Sequence, residues 1–402
     1  MYAVLRIRRM RRLSGIFRTT RPRGRWRFHA PCSGSFIRNE GIMMGSDRPN
    51  AMWLALALSI GLSGGFLFSL LGMPAPWLSG SMIAVALAVL SGLKAEMHSR
   101  LRDAIFILLG ISMGAGVTPE AIGHVALWPL SLAALFVTVA GIVCSTFVYL
   151  RRCAGWDKAS ALFGAVPGAL SYVLMLAETT RADVPRVALS QTIRVFLLVA
   201  VLPGVVTYLE SRYSDVATAT ATVAQPAPAQ LADLLLMMVC GLAAGLAGMK
   251  AKVPAGALFG AFFMSAFLHG SGLVSGILPP ILLTAGYVFL GTFMGLRFSG
   301  TRWSDLFNGL RSGLGAFVVG SVVSVTGALV ASFGLDLPLG QALVAFAPGG
   351  LEAMVILAFS LGLDPAFVAT HQLARFSVMM FVLPVVARWL LGPGWNQHGR
   401  SG

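Results

Sequence analysis

Charged residues are scarce in this chain, and acidic residues are the scarcest of them. Of its 402 residues only 11% are charged, with 15 Asp and Glu against 30 Lys and Arg, while 56% are hydrophobic. A soluble globular protein is usually about a quarter charged, so this composition excludes an ordinary soluble domain. The four cysteines form no CxxC pair, which argues against a disulfide framework or a cysteine metal cluster.

Motifs of the common enzyme classes are also missing. The chain has no Walker loop, no dinucleotide fingerprint, no HExxH pair and no convincing nucleophile elbow. Of the six histidines only His371 falls clearly inside an apolar segment, so a multi-histidine copper or iron site is hard to build. We therefore expect a protein that is not an enzyme and that uses no metal or other cofactor.

Long apolar segments are what the chain does have. Several are long enough to cross a hydrocarbon core of roughly 30 Å as helices, and they lack the alternation of a β-barrel. The sequence thus predicts an all-α polytopic membrane protein, with the lipid bilayer as its main partner. Six segments are predicted in each half: 52–71, 76–93, 104–117, 127–150, 159–178 and 187–209, then 231–249, 255–273, 277–296, 313–333, 340–361 and 366–391.

Residues 1–50 differ sharply from the rest. They contain twelve Arg against Glu40 and Asp47, which gives this tail ten of the fifteen net positive charges. The tail is interpreted either as a cytoplasmic flank that fixes orientation or as translated sequence upstream of a start at Met43 or Met44, and the second is favoured because no core-forming run is present.

An internal repeat divides the remainder into two membrane halves, 51–209 and 231–391. Residues 159–203 align without a gap on 340–384, at an offset of 181, with 15 of 45 positions identical. The repeat extends upstream, where Gly110 and Gly114 match Gly291 and Gly295, and close helix packing is the role expected of these glycines. An Ala/Thr/Pro-rich linker, 210–230, joins the halves, and residues 392–402 form a C-terminal tail.

Lys and Arg concentrate in cytoplasmic loops, so they test whether all twelve segments cross. With twelve crossings, nine basic residues fall inside and seven outside, which is no bias. If the fifth segment of each half instead enters and leaves on one side, only Arg212 falls outside. This predicts two inverted-topology repeats, with about ten transmembrane helices, two re-entrant or broken segments and cytoplasmic termini. Fifteen residues then lie inside: Lys94, Arg100, Arg102, Arg151, Arg152, Lys158, Arg181, Arg186, Lys250, Lys252, Arg297, Arg302, Arg311, Arg388 and Arg400.

The fifth segments contain the residues that break helices. Each has a Pro-Gly sequence at its centre, where proline removes a backbone donor and glycine permits a turn. Two short half-helices are therefore predicted in each half, with a kinked but complete span as the alternative. The breaks are predicted at Pro167-Gly168 and at Pro348-Gly349-Gly350.

Ionisable residues inside the apolar segments are the candidates for function, because a buried charge costs at least a few kcal/mol unless it is paired or hydrated. Gln191 and Arg194, like Gln372 and Arg375, are three residues apart and share a helix face. One interpretation is purely structural: each arginine pairs with a local carboxylate or with carbonyls freed at the breaks. In the other, the arginines and half-helix N-termini attract a small anion, while Glu352 or His371 exchanges a proton. The predicted solute site comprises Pro167, Gly168, Gln191, Arg194, Pro348, Gly349, Gly350, Glu352, His371, Gln372 and Arg375. Asp183 and Asp364 are expected to be helix caps.

The duplicated block, with P-G-G-L-E at 348–352 and H-Q-L-A-R at 371–375, resembles the AbrB-type duplicated integral membrane proteins of Gram-negative bacteria. The resemblance covers about residues 52–391, and the first copy departs from it with Ser171 and Ser190 in place of Glu352 and His371. It implies a bacterial inner-membrane protein, described as a regulator of gene expression and in some members as an ammonia monooxygenase. Nothing here resembles the small DNA-binding regulator of the same name, so no direct nucleic-acid binding is expected.

Three functions follow from these observations. The leading hypothesis is a permease-like protein with a site for a small, anionic solute at the middle of the bilayer. The second is a membrane-embedded regulator that acts through a signal or a partner. The third, an intramembrane monooxygenase, fits poorly with a single intramembrane histidine.

Overall fold

The computed structural model describes residues 51–115, 128–168, 170–213, 229–253 and 255–392, and its regular secondary structure there is fourteen α-helices. The first half contains α1 (Ala51–Leu70), α2 (Pro76–Leu90), α3 (Ser99–Gly114), α4 (Trp128–Arg152), α5 (Lys158–Ala165), α6 (Leu170–Glu178) and α7 (Val184–Tyr213). The second half contains α8 (Leu231–Lys250), α9 (Gly256–Gly270), α10 (Pro280–Leu296), α11 (Trp303–Leu335), α12 (Leu339–Phe346), α13 (Leu351–Ser360) and α14 (Pro365–Leu391).

Six of these helices, α1, α4, α7, α8, α11 and α14, are long and apolar enough to cross a membrane. Their outer surfaces carry large apolar side chains such as Phe333, 80% exposed, and Trp389, 83% exposed, which suit contact with lipid. The helices α2, α3, α9 and α10 have 15 to 17 residues. At 1.5 Å per residue they are about 22–26 Å long, somewhat shorter than the hydrocarbon core. The chain is thus an all-helical membrane protein.

Both predicted helix breaks are present. α5 ends at Ala165 and α6 begins at Leu170, and in the second half α12 ends at Phe346 and α13 begins at Leu351. Gly168 has φ of 91°, a left-handed conformation that glycine adopts without the steric cost of a Cβ atom. A continuous kinked helix therefore does not form at either position.

The first broken segment ends close to where it begins. The backbone N–H of Asp183, which follows α6, donates to Ser160 Oγ in the first turn of α5 at 2.8 Å. The helices α5 and α6 have eight and nine residues, so each is about 12–14 Å long and neither alone could cross a bilayer. The segment consequently forms a hairpin of two short helices whose two ends lie together.

The helices sort into two groups, and each group takes helices from both halves. The glycine-packed group consists of α1–α3 and α8–α10, and the break group consists of α4–α7 and α11–α14. The main contacts between the groups are those of α2 with α7 and of α3 with α13 and α14. The Pro-Gly breaks and all the predicted site residues belong to the break group.

Glycines allow the helices of the glycine-packed group to approach one another closely. A Cβ atom at Gly110 would collide with the carbonyl oxygen of Leu258 on α9, and one at Gly291 would collide with that of Leu78 on α2. These two contacts are equivalent under the sequence repeat, and each joins a helix of one half to a helix of the other. The packing role predicted for the repeated glycines is confirmed.

In the break group the long helices α4 and α11, which occupy equivalent positions in the two halves, are antiparallel neighbours. Thr138 lies against Gly327, and Tyr149 lies against Gly315. Residue numbers rise along α4 as they fall along α11, so the two helices run in opposite directions. If the two halves were instead related by a rotation axis parallel to the helices, α4 and α11 would run in the same direction.

The first residues of the predicted linker, 210–230, belong to a helix. Helix α7 continues to Tyr213, so residues 210–213 are helical, because Glu-Ser-Arg-Tyr contains neither of the strong helix breakers, glycine and proline. The predicted basic tail 1–50, linker residues 214–228 and residues 393–402 lie outside the described residues.

Candidate functional site

At the first break, a glutamine and an arginine from α7 bind the last carbonyls of α5. Gln191 Nε2 donates to the carbonyl oxygens of Phe163 at 2.9 Å and Val166 at 3.0 Å. Arg194 Nη2 donates to the Val166 oxygen at 3.0 Å and also to Gln191 Oε1. The two side chains are 2% and 3% exposed, so these bonds form away from solvent.

The second break is closed by the equivalent pair from α14. Gln372 Nε2 donates to two carbonyl oxygens in the last turn of α12, at 3.1 and 3.2 Å. Arg375 donates from Nη1 to the Ala347 oxygen at 2.5 Å, and from Nη2 to the Gly349 oxygen at 2.8 Å and Gln372 Oε1 at 2.5 Å. Gln372 is fully buried and Arg375 is 2% exposed.

These contacts follow from the chemistry of a helix end in an apolar medium. The last carbonyls of a helix have no partner within the helix and carry partial negative charge. Lipid supplies no hydrogen-bond donor, so a helix that stops inside the bilayer needs one from the protein. Arg194 and Arg375 meet that need at the C-terminal ends of α5 and α12, as the structural interpretation of the sequence expected.

The two breaks approach each other through Gly168 and Arg375. A Cβ atom at Gly168 would lie 3.4 Å from Arg375 Nη2 and 3.8 Å from its Nε. The charges of Arg194 and Arg375 repel each other across this junction. Within the described residues neither arginine has a salt bridge to a carboxylate, and the Nε atoms of both are buried without a hydrogen-bond partner. Two cations that bind only carbonyl and amide oxygens therefore lie close to each other where the two breaks converge.

His371 lies on α14 one turn before Arg375 and contacts α4 of the other half. Its Nε2 is 2.8 Å from Ser131 Oγ, and its Nδ1 is 2.8 Å from the carbonyl oxygen of Phe367. The ring is fully buried and packs against Phe367, with a centroid separation of 3.9 Å. Sequence reasoning did not identify Ser131. The signal that could have found it is its match with Ser312 at the repeat offset of 181.

In the described part of the chain Glu352 forms no salt bridge with the arginines of the breaks. It lies in the first turn of α13, where it is partly exposed, and its charge acts on Arg297 at the C-terminal end of α10. The remaining predicted residues lie at the two breaks, where Pro167, Pro348 and Gly349 are buried and Gly350 caps α13.

The expected helix caps have the expected bonds. Asp364 accepts hydrogen bonds from the backbone N–H groups of Ala366 and Phe367 at 2.8 and 3.2 Å, and Asp183 accepts one from that of Arg186 at 3.2 Å.

A small cavity reaches the second break from the side. Its volume is about 90 Å³, and it lies between α7, α11 and α12, ending at Ala347 and Pro348. Its walls are mostly apolar, except for Ser324, which donates to the Phe346 oxygen, and Ser321, whose buried hydroxyl has no partner. The volume is enough for a few water molecules beside the carbonyl that Arg375 binds.

Comparison with known proteins places this architecture in a family. A family model described as "Transition state regulatory protein AbrB" matches residues 77–391. The chain belongs to the AbrB family. It is 26% identical over 346 residues to "Putative regulator AbrB" of Escherichia coli (strain K12), which covers 84% of this chain and 94% of that protein. It is also 26% identical over 358 residues to "Uncharacterized protein YhjN" of Bacillus subtilis (strain 168), with 83% and 92% covered.

The AbrB family match includes both breaks and all eleven predicted site residues, so the resemblance seen in the sequence is confirmed. In the part of the chain that the structure describes, no three His, Cys, Asp or Glu side chains are grouped as a metal site would require. The buried polar side chains at the breaks are those of Gln191, Arg194, Gln372 and Arg375, with His371 one turn before Arg375.

Proposed function

We propose that this AbrB-family protein is a permease that carries a small anionic solute across the membrane, with its binding site at the junction of the two breaks. The observation that carries the proposal is the pair of buried arginines, one from each half, which have no ion-paired carboxylate among the described residues and whose Nε atoms are both unbonded there. A buried charge in the bilayer is costly unless it is neutralised. A carboxylate or a similar oxyanion bound there would neutralise the pair and bond the free N–H groups.

We further propose that the halves are inverted-topology repeats with ten crossing helices and two re-entrant hairpins. The antiparallel packing of α4 and α11 supports the inversion, and the bond from Asp183 to Ser160 supports the re-entrant hairpin in the first half. In this arrangement both chain termini are cytoplasmic and the membrane is the bacterial inner membrane. A map of loop positions with reporter fusions tests it, because residues 151–158 and 334–339 are expected on opposite sides.

Alternating access would come from movement of the break group relative to the glycine-packed group. The two groups share few helix contacts, whereas the contacts inside each group are extensive. Rigid-body movement of one bundle around a fixed site is a common mechanism of secondary transporters with inverted repeats.

Transport is tested by reconstituting the purified protein in liposomes and measuring uptake of labelled mono- and dicarboxylates. Arg194→Ala and Arg375→Ala should each lower uptake by roughly 30-fold or more, since loss of a buried charged partner costs at least about 2 kcal/mol. Arg388→Ala is the matched control, because Arg388 lies on the same helix as Arg375 but is exposed. Uptake that is unchanged in both arginine variants would remove them from the mechanism.

The arginines also cap helices, so a folding defect must be separated from a binding defect. Arg375→Lys keeps the positive charge but loses the planar group that bonds two carbonyls at once. For each variant, thermal unfolding with and without added carboxylate reports whether a folded protein has lost its ligand. A variant that melts normally and gains no stability from the anion has lost the site itself.

A second candidate is a membrane-embedded regulator, which the name of the E. coli relative favours. Such a protein would change gene expression through a signal or a partner rather than by binding nucleic acid. Transcript changes on deletion that persist in an Arg375→Ala strain would support it. Changes that follow the loss of uptake would make the regulation a consequence of solute flux.

A further inference from the structure

His371 and Ser131 make three hydrogen-bond contacts, but in their neutral forms these two side chains have only two polar hydrogens between them. Ser131 Oγ is 3.0 Å from the carbonyl oxygen of Trp128 and 2.8 Å from His371 Nε2, and His371 Nδ1 is 2.8 Å from the carbonyl oxygen of Phe367. A carbonyl only accepts, so two of these contacts take the hydrogen of Nδ1 and the hydrogen of the serine hydroxyl. No hydrogen then remains for the contact between Oγ and Nε2 unless Nε2 carries its own.

The repeat provides an internal comparison for the serine. Ser312 occupies the position of Ser131 in the second half, and its hydroxyl donates to the carbonyl oxygen of Gly309 at 3.0 Å. This is the same bond, three residues back and of the same length, that Ser131 makes to Trp128. The residue equivalent to His371 is Ser190, so the bond forms at a site that has no imidazole. The Ser131 hydrogen is thus already committed to the helix backbone.

We infer that His371 is a proton-binding site in which Nε2 gains a proton and donates it to Ser131 Oγ. Resting on the proposed transport function, we assign the proton as the ion that crosses with the anion. The proton adds to the free lone pair of Nε2 and later leaves from the same atom, so no other reactant is needed. The bond it creates joins α14 of the second half to α4 of the first, beside the Gln372–Arg375 cap.

Coupling to the anion follows from charge. His371 and Arg375 are four residues apart on one face of α14, so protonation adds a third positive charge near the two arginines. An anion bound between the arginines offsets that repulsion and favours the protonated ring. By thermodynamic reciprocity, the bound proton raises the affinity for the anion by the same factor. Since the first half has Ser190 at this position, the expected stoichiometry is one proton per cycle.

On the helices packed around the His371 ring, the charged side chains other than Arg375 interact with other groups or are exposed. In the described residues α4 presents Ser131 and Trp128 and α12 presents Phe346, none of which carries a charge. On α3, Arg102 and Asp103 form a salt bridge with each other. Glu352 of α13 acts on Arg297, and Lys158 of α5 is exposed. Arg375 is therefore the charge to which the protonation of His371 is coupled.

The test is a pH titration of the histidine ring by nitrogen NMR, with ring-¹⁵N-labelled protein in lipid nanodiscs and no added solute. The signal of His371 is assigned by its loss in His371→Gln. Ser131→Ala removes the acceptor of the Nε2 hydrogen, so the midpoint should move to lower pH by about one to two units. Ser131→Thr should restore the midpoint. Ser312→Ala is the matched control and should leave it unchanged.

The sign of the shift decides the inference. If Ser131 donates to a neutral ring instead, Ser131→Ala moves the midpoint to higher pH, and the proton site is wrong. A midpoint that does not move, or a ring that takes up no proton at any pH where the protein stays folded, overturns it as well. Since no solute is present, a protein that titrates as expected but transports no carboxylate contradicts the proposed transport and leaves the proton site standing.

Discussion

The two breaks have hydrogen bonds of the same kind at their helix ends but differ in two nearby titratable residues. In each, a glutamine and an arginine lie three residues apart on the long helix that follows the two short helices. They bind carbonyls at the C-terminal end of the first short helix. Each half ends a short helix in the buried interior of the protein, where the carbonyls of that helix need hydrogen-bond donors. Two titratable residues of the second half are not duplicated: it has Glu352 and His371 where the first half has Ser171 and Ser190. The glutamine and the arginine are thus present in both halves, whereas Glu352 and His371 occur in the second half alone.

The largest difference expected between the breaks is the cost of removing each arginine. In Arg194→Ala the Val166 oxygen keeps its bond from Gln191, so mainly Gln191 Oε1 loses a partner. In Arg375→Ala both the Gly349 oxygen and Gln372 Oε1 lose theirs. Each buried orphan costs about 1–3 kcal/mol, so we expect about 1–3 kcal/mol for the first variant and about 2–6 kcal/mol for the second.

Unfolding in detergent micelles, followed by tryptophan fluorescence, measures these two costs. Arg388→Ala, which removes an exposed arginine from α14, should change stability by no more than about 0.5 kcal/mol. Equal losses in Arg194→Ala and Arg375→Ala would show that the additional bond at the second break contributes nothing.

The glycines of the two breaks should differ by a smaller amount. Gly168→Ala places a Cβ atom on a backbone with φ of 91°, close to Arg375 Nη2, and should cost roughly 1–2 kcal/mol. Gly349 does not have a left-handed φ, and a Cβ atom there would press on Met354, a buried but unbranched side chain that can change rotamer, so Gly349→Ala should cost less. Gly204→Ala is the control, since a Cβ atom there meets nothing within 4 Å. Melting temperatures that rank Gly349→Ala below Gly168→Ala would contradict this order.

The smallest difference is expected at the helix caps. Asp364 accepts two backbone hydrogen bonds at the start of α14, whereas Asp183 accepts one, at 3.2 Å, at the start of α7. Loss of an N-terminal cap usually costs about 0.5–2 kcal/mol, so Asp364→Ala should lie in the upper part of that range and Asp183→Ala in the lower part. Asparagine at either position retains an acceptor and should recover most of the loss, as chemical denaturation would show.

Much of the break group could be predicted from the sequence because its signals are local. Proline and glycine interrupt a helix wherever they occur, and a three-residue spacing puts Gln191 with Arg194 on one face. The repeated glycines likewise predicted close packing, which Gly110 and Gly291 show. Spacing of this kind needs no knowledge of neighbouring helices.

The partners of the site residues depend on which helices become neighbours, and the local pattern of a single sequence does not show that. Ser131 lies 240 positions from His371, and nothing in its own segment marks it as a hydrogen-bond partner. The sequence likewise left carboxylates and carbonyls open as partners of the arginines. The structure shows carbonyls, because the ends of α5 and α12 lie beside Arg194 and Arg375. Glu352 was predicted as one of two residues that could exchange a proton at the site, and the sequence did not indicate that its charge also acts on Arg297.

In the glycine-packed group, helices of one half pack against helices of the other, and this affects how the protein assembles during synthesis. Helices α2 and α9 begin 180 residues apart, and each packs against a helix of the opposite half. At about 5–20 residues per second, a ribosome needs roughly 10–40 s to synthesise that stretch. During this interval the α3 face with Gly110 and Gly114 lacks its partner α9, and the α2 face at Leu78 lacks its partner α10. Assembly is therefore completed late, when α9 and α10 emerge, and a polypeptide released after α7 would be left for quality-control proteases to remove.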